Sequence, residues 1–226
     1  MSKGNQFKAH TQLKLSPFFE RTSKLNESQE WRRWSGYLAA TNYELTHENE
    51  YFAIRTKAAL LDITPLYKYI IEGPDSQRFL DRMVTRNIGI CKVGQVMYTP
   101  WCDEDGKQID DGTVQRLSDQ KFRITSAEPN LEWIEYNAAG MDLSILDDSY
   151  TTAALAIQGP NSRTILNAVA SDVLNNLKFF WMMETRFGDI PVSISRTGYT
   201  GDLGYEIWMD SKDALSVWDL LMDKGK

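Results

Sequence analysis

A short motif occurs twice in this chain of 226 residues, and this repeat constrains the fold more than any other feature. Residues 70–76 read IIEGPDS, and residues 156–162, 86 positions later, read AIQGPNS. Each copy follows a strand-like apolar run and precedes apolar residues at helical spacing. Gly permits a tight turn, Pro sets the dihedral before a helix, and Asp, Asn or Ser caps free N–H groups there. The repeat predicts an α+β fold with two related β-sheet-plus-helix units.

The remaining patterns predict further elements around these units. A turn signal at 103–106 predicts a hairpin, and a Gly-rich loop is expected at 196–204. The other predicted elements are strands at 67–71, 96–101, 109–117, 121–125, 153–157, 190–195 and 205–209, and helices at 130–139 and 213–222. The last helix should bury Leu215, Trp218, Leu221 and Met222, which recur at helical spacing.

Composition excludes several classes of protein. The net charge is −6 and no long Lys/Arg run occurs, which argues against a nucleic-acid partner. Two cysteines, Cys91 and Cys102, indicate free thiols in a reducing compartment, and the cytoplasm is the expected location. The distant His10 and His47 give no metal-ligand spacing, so no metal is expected. No apolar run is long enough for a membrane span, and residues 1–15 lack a signal-peptide pattern.

Two adjacent carboxylates, Asp110 and Asp111, form the first candidate site. They lie on a predicted strand, where neighbouring side chains point to opposite faces. At most one of them can therefore enter a given pocket, as a proton acceptor or charge partner. The alternative is a solvated hairpin flank, because further acidic residues stand at 103–105.

The second candidate site is the loop at 196–206, which holds three glycines at a spacing of three. Such glycines permit close approach of the backbone to a ligand. Tyr199 and Tyr205 are candidates to flank an aromatic ligand, and Glu206 points away from Tyr205. A carboxylate there can accept two parallel N–H bonds from a planar ligand. An ordinary hairpin with an exposed glutamate is the alternative.

At this loop the sequence resembles a known family. The run 196–207 is similar to the signature loop of glycine cleavage T-proteins, which are aminomethyltransferases. Similar segments occur at 16–19, 34–37, 47–55, 59–63, 94–99 and 103–111, so the resemblance covers nearly the whole chain. It implies a single folate-binding domain over residues 1–226, with tetrahydrofolate as the cofactor and a lipoylated carrier protein as a possible partner.

The resemblance also implies roles for individual residues. Asp110 best matches the family aspartate near the reactive folate nitrogens, and the adjacent Asp111 is the alternative. Glu206 matches the glutamate that holds the pterin. Further cofactor-binding positions are implied at Tyr98, Tyr199, Arg196 and Ser126. Ser126 departs from the family, since it stands where T-proteins usually carry an asparagine.

Other departures leave the donor open. The pair Asp202-Leu203 and the segment Ile63 to Leu66 also resemble folate-dependent demethylases of the same fold, such as dimethylsulfoniopropionate demethylases. A demethylase of a small methylated donor is therefore one alternative to an aminomethyltransferase. A folate-binding assembly protein without catalysis is another. The family's small C-terminal barrel is expected to be absent from this chain.

Overall fold

The computed structural model describes residues 13–226, so the expectations for His10 and for a signal peptide lie largely outside the described part. The predicted α+β class is confirmed. The helices are α1 (Phe19–Leu25), α2 (Glu48–Thr56), α3 (Ser76–Met83), α4 (Leu131–Ala138), α5 (Ser162–Asn167) and α6 (Ala214–Lys224). The strands are β1 (Lys14–Leu15), β2 (Trp31–Trp34), β3 (Tyr37–Ala40), β4 (Ala59–Asp62), β5 (Tyr67–Glu72), β6 (Val96–Cys102), β7 (Gln108–Ser118), β8 (Lys121–Ser126), β9 (Ser144–Asp147), β10 (Thr152–Gln158), β11 (Met182–Phe187), β12 (Ile190–Ser195) and β13 (Gly204–Asp210).

Two five-stranded antiparallel sheets carry one copy of the repeat each. Their strand orders are β6-β7-β8-β5-β9 and β11-β12-β13-β10-β4. The repeat strands β5 and β10 occupy the same place, next to the last strand. The last strands are exchanged, because β4 precedes β5 in the chain but pairs with β10, and β9 precedes β10 but pairs with β5. Each sheet is therefore completed by a strand that leads into the other one.

The pseudo-duplication extends well beyond the motif that revealed it. Single 3₁₀ turns at Ile88–Ile90 and Leu174–Asn176 are also 86 residues apart, as are the starts of β6 and β11. Just before those strands the two sheets meet edge to edge. The N–H of Val96 donates to the carbonyl of Phe180 at 2.8 Å, and the N–H of Met182 donates to Gly94 at 2.8 Å.

A small third sheet lies at the N-terminal side, in the order β1-β3-β2. The sequence patterns did not predict it, nor did they predict β4, β9, β11, α1 or α2. These elements are short and their burial is partial, so they lack the clean periodicity on which sequence prediction depends. Strand β2 matters for the site below, because it carries Arg32 and Trp34.

The helix starts differ from the expected capping. Asp75 and Asn161 occupy the N-cap positions of α3 and α5, but neither side chain caps its helix. Instead, a carboxylate oxygen of Asp75 accepts a hydrogen bond from the N–H of Asp142 at 3.0 Å. In the first copy, the Asp75 side chain therefore holds the segment before β9 in place and does not cap the start of α3.

The glycines of the two motifs explain why the turn sequence recurs. Gly73 has φ +146°, and an added Cβ would lie 2.6 Å from the carbonyl oxygen of Asp142. Gly159 has φ +126°, and its added Cβ would lie 2.6 Å from the carbonyl oxygen of Lys57. In the first copy this backbone belongs to the segment that leads into β9, and in the second copy it belongs to the segment that leads into β4. In both copies it occupies the place where a side chain would stand.

Alanine at Gly73 or Gly159 is expected to destabilise the fold by about 3 kcal/mol, because left-handed strain adds to a clash with rigid backbone. Gly106 is the matched control, since its φ is +78° but no atom lies within 4 Å of an added Cβ. Gly106→Ala should cost only about 1 kcal/mol. Denaturant unfolding of the three variants measures this difference, and equal losses would contradict the close-approach explanation.

Each large sheet buries one face under helices. The first sheet packs on α3 and α4, around Tyr69, Phe79, Trp101 and Phe122. The second packs on α5 and α6. The predicted apolar face of the last helix needs correction, because Val217 is buried and Met222 is 37% exposed. The buried residues of α6 are Ala214, Val217, Trp218 and Leu221, which recur at intervals of three and four along one face of the helix.

Between residues 13 and 226, no helix has the length and apolar character that crossing a bilayer requires.

Candidate functional site

The faces of the two large sheets that are not covered by helices enclose a cavity of about 600 Å³. Strands from both sheets, strand β2 and four connecting segments contribute to its wall. The lining residues are Arg32, Trp34, Leu66, Tyr98, Asp111, Gly112, Thr113, Thr125, Ser126, Ala127, Phe180, Thr197, Gly198, Tyr199, Glu206 and Trp208. This volume lies inside the range of roughly 300–1,000 Å³ that small-molecule sites occupy.

Glu206 is the buried carboxylate of this cavity, with 8% of its surface exposed. As predicted, its strand neighbours Tyr205 and Ile207 face the core instead. A chain of hydrogen bonds fixes the carboxylate: the hydroxyls of Ser195 and Thr197 lie 2.7 Å apart, and Thr197 donates to Oε2 of Glu206 at 2.7 Å. Burial raises the pKa of Glu206, which these hydroxyls oppose.

The second carboxylate oxygen of Glu206, Oε1, accepts no hydrogen bond from the residues the structure describes. Because Glu206 lines the cavity, this oxygen remains available to a ligand that supplies N–H groups. Tyr199 also lines the cavity and is 70% exposed as a whole residue; desolvation at the hydroxyl, followed by the charge of Glu206, raises the pKa of that hydroxyl. Glu206 can therefore accept hydrogen bonds from the N–H edge of a planar ligand, and Tyr199 can lie beside the ring of that ligand.

Asp111 and Tyr98 lie on the wall contributed by the first sheet. The interaction with the Asp111 carboxylate is the main cause that raises the pKa of the Tyr98 hydroxyl. Asp111 also accepts a hydrogen bond from Nε2 of Gln108 at 3.2 Å. The cavity therefore holds two carboxylates, Asp111 and Glu206, on different sheets.

Asp110 does not line the cavity, because adjacent strand residues point to opposite faces. It is 7% exposed, and its carboxylate accepts three hydrogen bonds: from the N–H of Asp111 at 2.7 Å, from Glu128 at 3.0 Å, and from Nδ2 of Asn130 at 2.7 Å. Of the two aspartates, the geometry makes Asp110 a support for the loop after β8 and leaves Asp111 facing the cavity.

The other sequence-predicted residues divide in the same way. Ser126 lines the cavity and donates to the carbonyl of Glu128 at 2.8 Å. Arg196 does not line it, since its guanidinium donates to the carbonyl of Leu177 at 3.2 Å. Tyr205 is fully buried in the core, where its hydroxyl accepts from Arg163, so the suggestion that it flanks a ligand was wrong.

The glycines of the loop have a different use from the one expected. An added Cβ at Gly198 or Gly204 would lie 2.2 or 2.1 Å from Oε1 of Gln158. Gln158 belongs to the second copy of the repeat, and its Nε2 donates to the carbonyls of Thr197 and Tyr205. The close approach is therefore between the loop and a protein side chain, which holds Thr197 and Tyr199 in place.

Sequence reasoning missed a group of aromatic and apolar lining residues: Trp34, Leu66, Phe180 and Trp208. Trp34 and Leu66 stand in segments that the family resemblance pointed to, but that signal gave them no role. Phe180 has φ +59°, a left-handed conformation that is rare for a bulky side chain. Its counterpart 86 residues earlier is Gly94, with φ +80°. Such strain concentrates at functional sites.

Lys68 positions the segment that brings Leu66 to the cavity. It is fully buried, and its Nζ donates to the carbonyls of Thr64 at 2.8 Å and Leu66 at 2.7 Å. Burial, together with the charge of Arg123, lowers the pKa of Lys68 to about 7, although Asp62 opposes this. The Lys68 amine thus fixes the segment before β5 through these two hydrogen bonds, although burial disfavours its charged form.

The stability of the protein is expected to rise between pH 7 and pH 9. Over this range the unfolded chain keeps Lys68 protonated while the folded chain does not, so the unfolded state binds more protons. The rise is at most about 1.4 kcal/mol per pH unit for one group. Lys68→Met should flatten the profile measured by denaturant unfolding, and parallel profiles for both proteins would contradict the lowered pKa.

Among residues 13–226, no three or more His, Cys, Asp or Glu side chains gather as a metal site would require. Both cysteines are free thiols, Cys91 buried and Cys102 partly exposed, as predicted.

Comparisons with known proteins agree on one family. Residues 18–226 match the family model described as the GCVT N-terminal domain. An aminomethyltransferase of Halothermothrix orenii is 35% identical over 94% of this chain and 60% of its own length. A trimethylamine-oxide aldolase of Ruegeria pomeroyi is 41% identical over 78% of this chain, but only 24% of its own length is covered.

Among solved structures, the glycine cleavage system aminomethyltransferase T from Bartonella henselae superposes with a TM-score of 0.83 and 25% identity. The superposition covers 93% of this chain and 57% of that protein. The chain therefore spans less than two thirds of the relatives it matches.

Proposed function

Because this chain belongs to the GCVT N-terminal domain family, we propose that it is a tetrahydrofolate-dependent one-carbon transferase, and specifically an aminomethyltransferase of the glycine cleavage type. One observation carries the proposal: Glu206 and Asp111 face one cavity from opposite sheets, with aromatic side chains between them. We assign residues 1–226 to one folate-binding domain. The free thiols are compatible with action in the cytoplasm.

The residues of the cavity fit a reduced folate. A pterin presents two N–H donors along one edge, and Glu206 lines the cavity with a carboxylate oxygen that accepts no hydrogen bond among residues 13–226. Tyr199 and Trp208 line the same cavity as Glu206, and their rings provide apolar faces for a flat heterocycle. Ser126 and Thr125 add polar contacts at the opposite wall.

When bound, tetrahydrofolate supplies the nitrogen nucleophiles that accept the one-carbon unit. Glu206 holds the ligand in one orientation, which converts a loose encounter into a positioned one. Asp111 stabilises positive charge that develops on the reacting nitrogens, because a carboxylate in a partly buried cavity acts at low dielectric. Tyr98 contacts Asp111 and limits its orientation.

The proposed donor is an aminomethyl group on the lipoyl sulfur of a carrier protein. Its carbon–sulfur and carbon–nitrogen bonds break, and two carbon–nitrogen bonds to folate form. The two protons displaced from the folate nitrogens leave with the free thiol and with ammonia, so atoms and electrons balance.

Calorimetric titration with tetrahydrofolate tests the folate site. We expect saturable binding at one site per chain, and weaker binding of p-aminobenzoylglutamate, which lacks the pterin edge. Equal affinity for the two compounds would contradict the role assigned to Glu206, and no binding of either would contradict the folate site.

A small methylated donor is the second candidate, in place of the lipoyl arm. Aromatic rings beside carboxylates recognise methylated cations, and Trp34, Trp208, Asp111 and Glu206 supply both around one cavity. The relative from Ruegeria pomeroyi is named for a methylated amine oxide. Formation of methylenetetrahydrofolate from an aminomethylated carrier, compared with formation of methyltetrahydrofolate from methylated amines or sulfonium compounds, decides between the two donors.

A further inference from the structure

A second cavity lies between the same two sheets, on the other side of Trp208. Its volume is about 460 Å³, and Trp208 lines both cavities. The guanidinium carbon of Arg123 stands 5.3 Å from the centre of the Trp208 ring, so this stacked pair separates the two spaces. Strand alternation explains why the two cavities lie on the same face of the sheets, because side chains two positions apart on a strand point the same way. Arg123 and Thr125 are such a pair on β8, and Ser193 and Ser195 are such a pair on β12.

Lys121 and Arg123 are the cations on the wall of this second cavity; Lys121 is paired with Glu72 at 2.9 Å, whereas most donors of Arg123 are uncommitted. Its Nη1 donates to Oε1 of Gln115 at 3.1 Å. Its Nε is buried without a hydrogen-bond partner, and no carboxylate in the described part of the chain lies within 4 Å of the guanidinium. The Nε–Nη2 edge of an arginine is the edge that binds a carboxylate with two parallel hydrogen bonds.

Two further polar groups beside Arg123 also lack partners. Ser193 lines the cavity, is 8% exposed, and its hydroxyl makes no hydrogen bond within residues 13–226. Gln115 is fully buried, and its Nε2 likewise has no acceptor in that part of the chain. A buried donor without an acceptor costs about 1–3 kcal/mol. Arg123 and Ser193 both line the cavity with such a donor, which an oxyanion bound there would satisfy; Gln115 contacts Arg123 but does not line the cavity.

The charge of the surrounding wall restricts which oxyanion fits. Asp148, Glu184 and Asp210 line the same cavity, and Glu184 takes part in no ion pair or hydrogen bond among the described residues. A simple anion would be repelled by these carboxylates. A molecule that also carries an ammonium group satisfies both sides, with its carboxylate at Arg123 and its ammonium at the acidic wall.

We propose that this cavity binds a small zwitterionic amino acid, whose carboxylate is held by Arg123 and Ser193 and whose ammonium is held by Glu184 and Asp148. The site is separate from the folate cavity and does not depend on the proposed function. Trp208 is common to both walls, so occupancy of one cavity is sensed at the other through a single side chain.

Glycine is the probe, followed by NMR through the indole N–H resonance of Trp208, which is assigned with a Trp208→Phe variant. We expect saturable binding with a dissociation constant in the millimolar range. Acetate and methylammonium each lack one charge and should bind at least about tenfold more weakly. Equal binding of acetate and glycine would overturn the zwitterion assignment, and no saturable glycine shift would mean that water alone fills the site.

Matched variants locate the binding. Ser193→Ala removes a hydroxyl without a partner, so the fold should keep its stability while glycine binds several-fold more weakly. Arg123→Lys keeps the charge but loses the two-donor edge, and should weaken glycine by about tenfold or more. Ser144→Ala, at an exposed position of β9 away from the cavity, should leave glycine binding unchanged. If Ser193→Ala binds glycine as the wild type does, the proposal fails whatever the folate titration shows.

Discussion

Replacing Glu206 by glutamine is expected to weaken tetrahydrofolate binding by about 100-fold. A carboxylate accepts both N–H groups of a pterin edge, whereas a glutamine turns one of its two positions into a donor that faces a donor. The loss of charge-assisted hydrogen bonds is worth about 3 kcal/mol, which corresponds to that factor. Calorimetric titration of the variant measures it.

Stability should change in the other direction in this variant. Burial raises the pKa of Glu206, which means that the folded state pays for keeping this group charged. The amide oxygen of glutamine still accepts from Thr197, so Glu206→Gln should unfold at the same or a higher denaturant concentration. Glu72→Gln, on an exposed end of β5, is the matched control and should bind folate normally. If Glu206→Gln keeps wild-type affinity, its pterin role is refuted.

Asp111→Asn is expected to slow one-carbon transfer by about 100-fold or more, with little change in folate affinity. The substitution keeps the shape of the side chain and removes the negative charge that stabilises the developing positive charge. Because Gln108 and Tyr98, the side chains that interact with the Asp111 carboxylate among residues 13–226, are themselves exposed, stability should stay close to that of the wild type. Single-turnover rates at saturating folate separate the chemical step from binding.

Asp110→Asn is the counterpart that distinguishes the two aspartates. The Asp110 carboxylate accepts three N–H bonds, and an asparagine would turn an N–H group toward one of these donors. We expect a loss of about 2–3 kcal/mol in unfolding free energy. Any fall in rate should follow from misplacement of the loop after β8. Wild-type stability with a slow chemical step in Asp110→Asn would instead make Asp110 the catalytic carboxylate.

The α+β class and the two related units followed from the sequence, because a duplicated turn leaves a visible trace. Gly73 and Gly159 each lie against the backbone of another segment, where a side chain does not fit, so both copies of the motif require a glycine at this position. Strands β5 to β8 of the first sheet, the hairpin at Asp103–Gly106 and helix α4 followed from period and turn chemistry in the same way. The face of β13 that carries Glu206 was predictable, since alternation along a strand is a local property.

The wall of the candidate site was much less visible. Trp34, Leu66, Phe180 and Trp208 come from four distant segments, and nothing in their spacing marks them as neighbours. Arg196 and Tyr205 stand within the most characteristic loop, yet the packing of β13 and of the segment at Leu177 turns their side chains away. Propensity and motif assign residues to segments, but they do not say which side chains converge.

The sequence by itself determined the duplication, the strand and helix types, and the carboxylates available for chemistry, because each depends on residues near one another in the chain. Only the tertiary structure decided that Asp111 rather than Asp110 faces the cavity. It also decided that β4 and β9 are exchanged between the sheets, and that Arg123 and Trp208 separate two cavities. These outcomes depend on register and packing between distant segments, where side chains compete for the same volume and for the same hydrogen-bond partners.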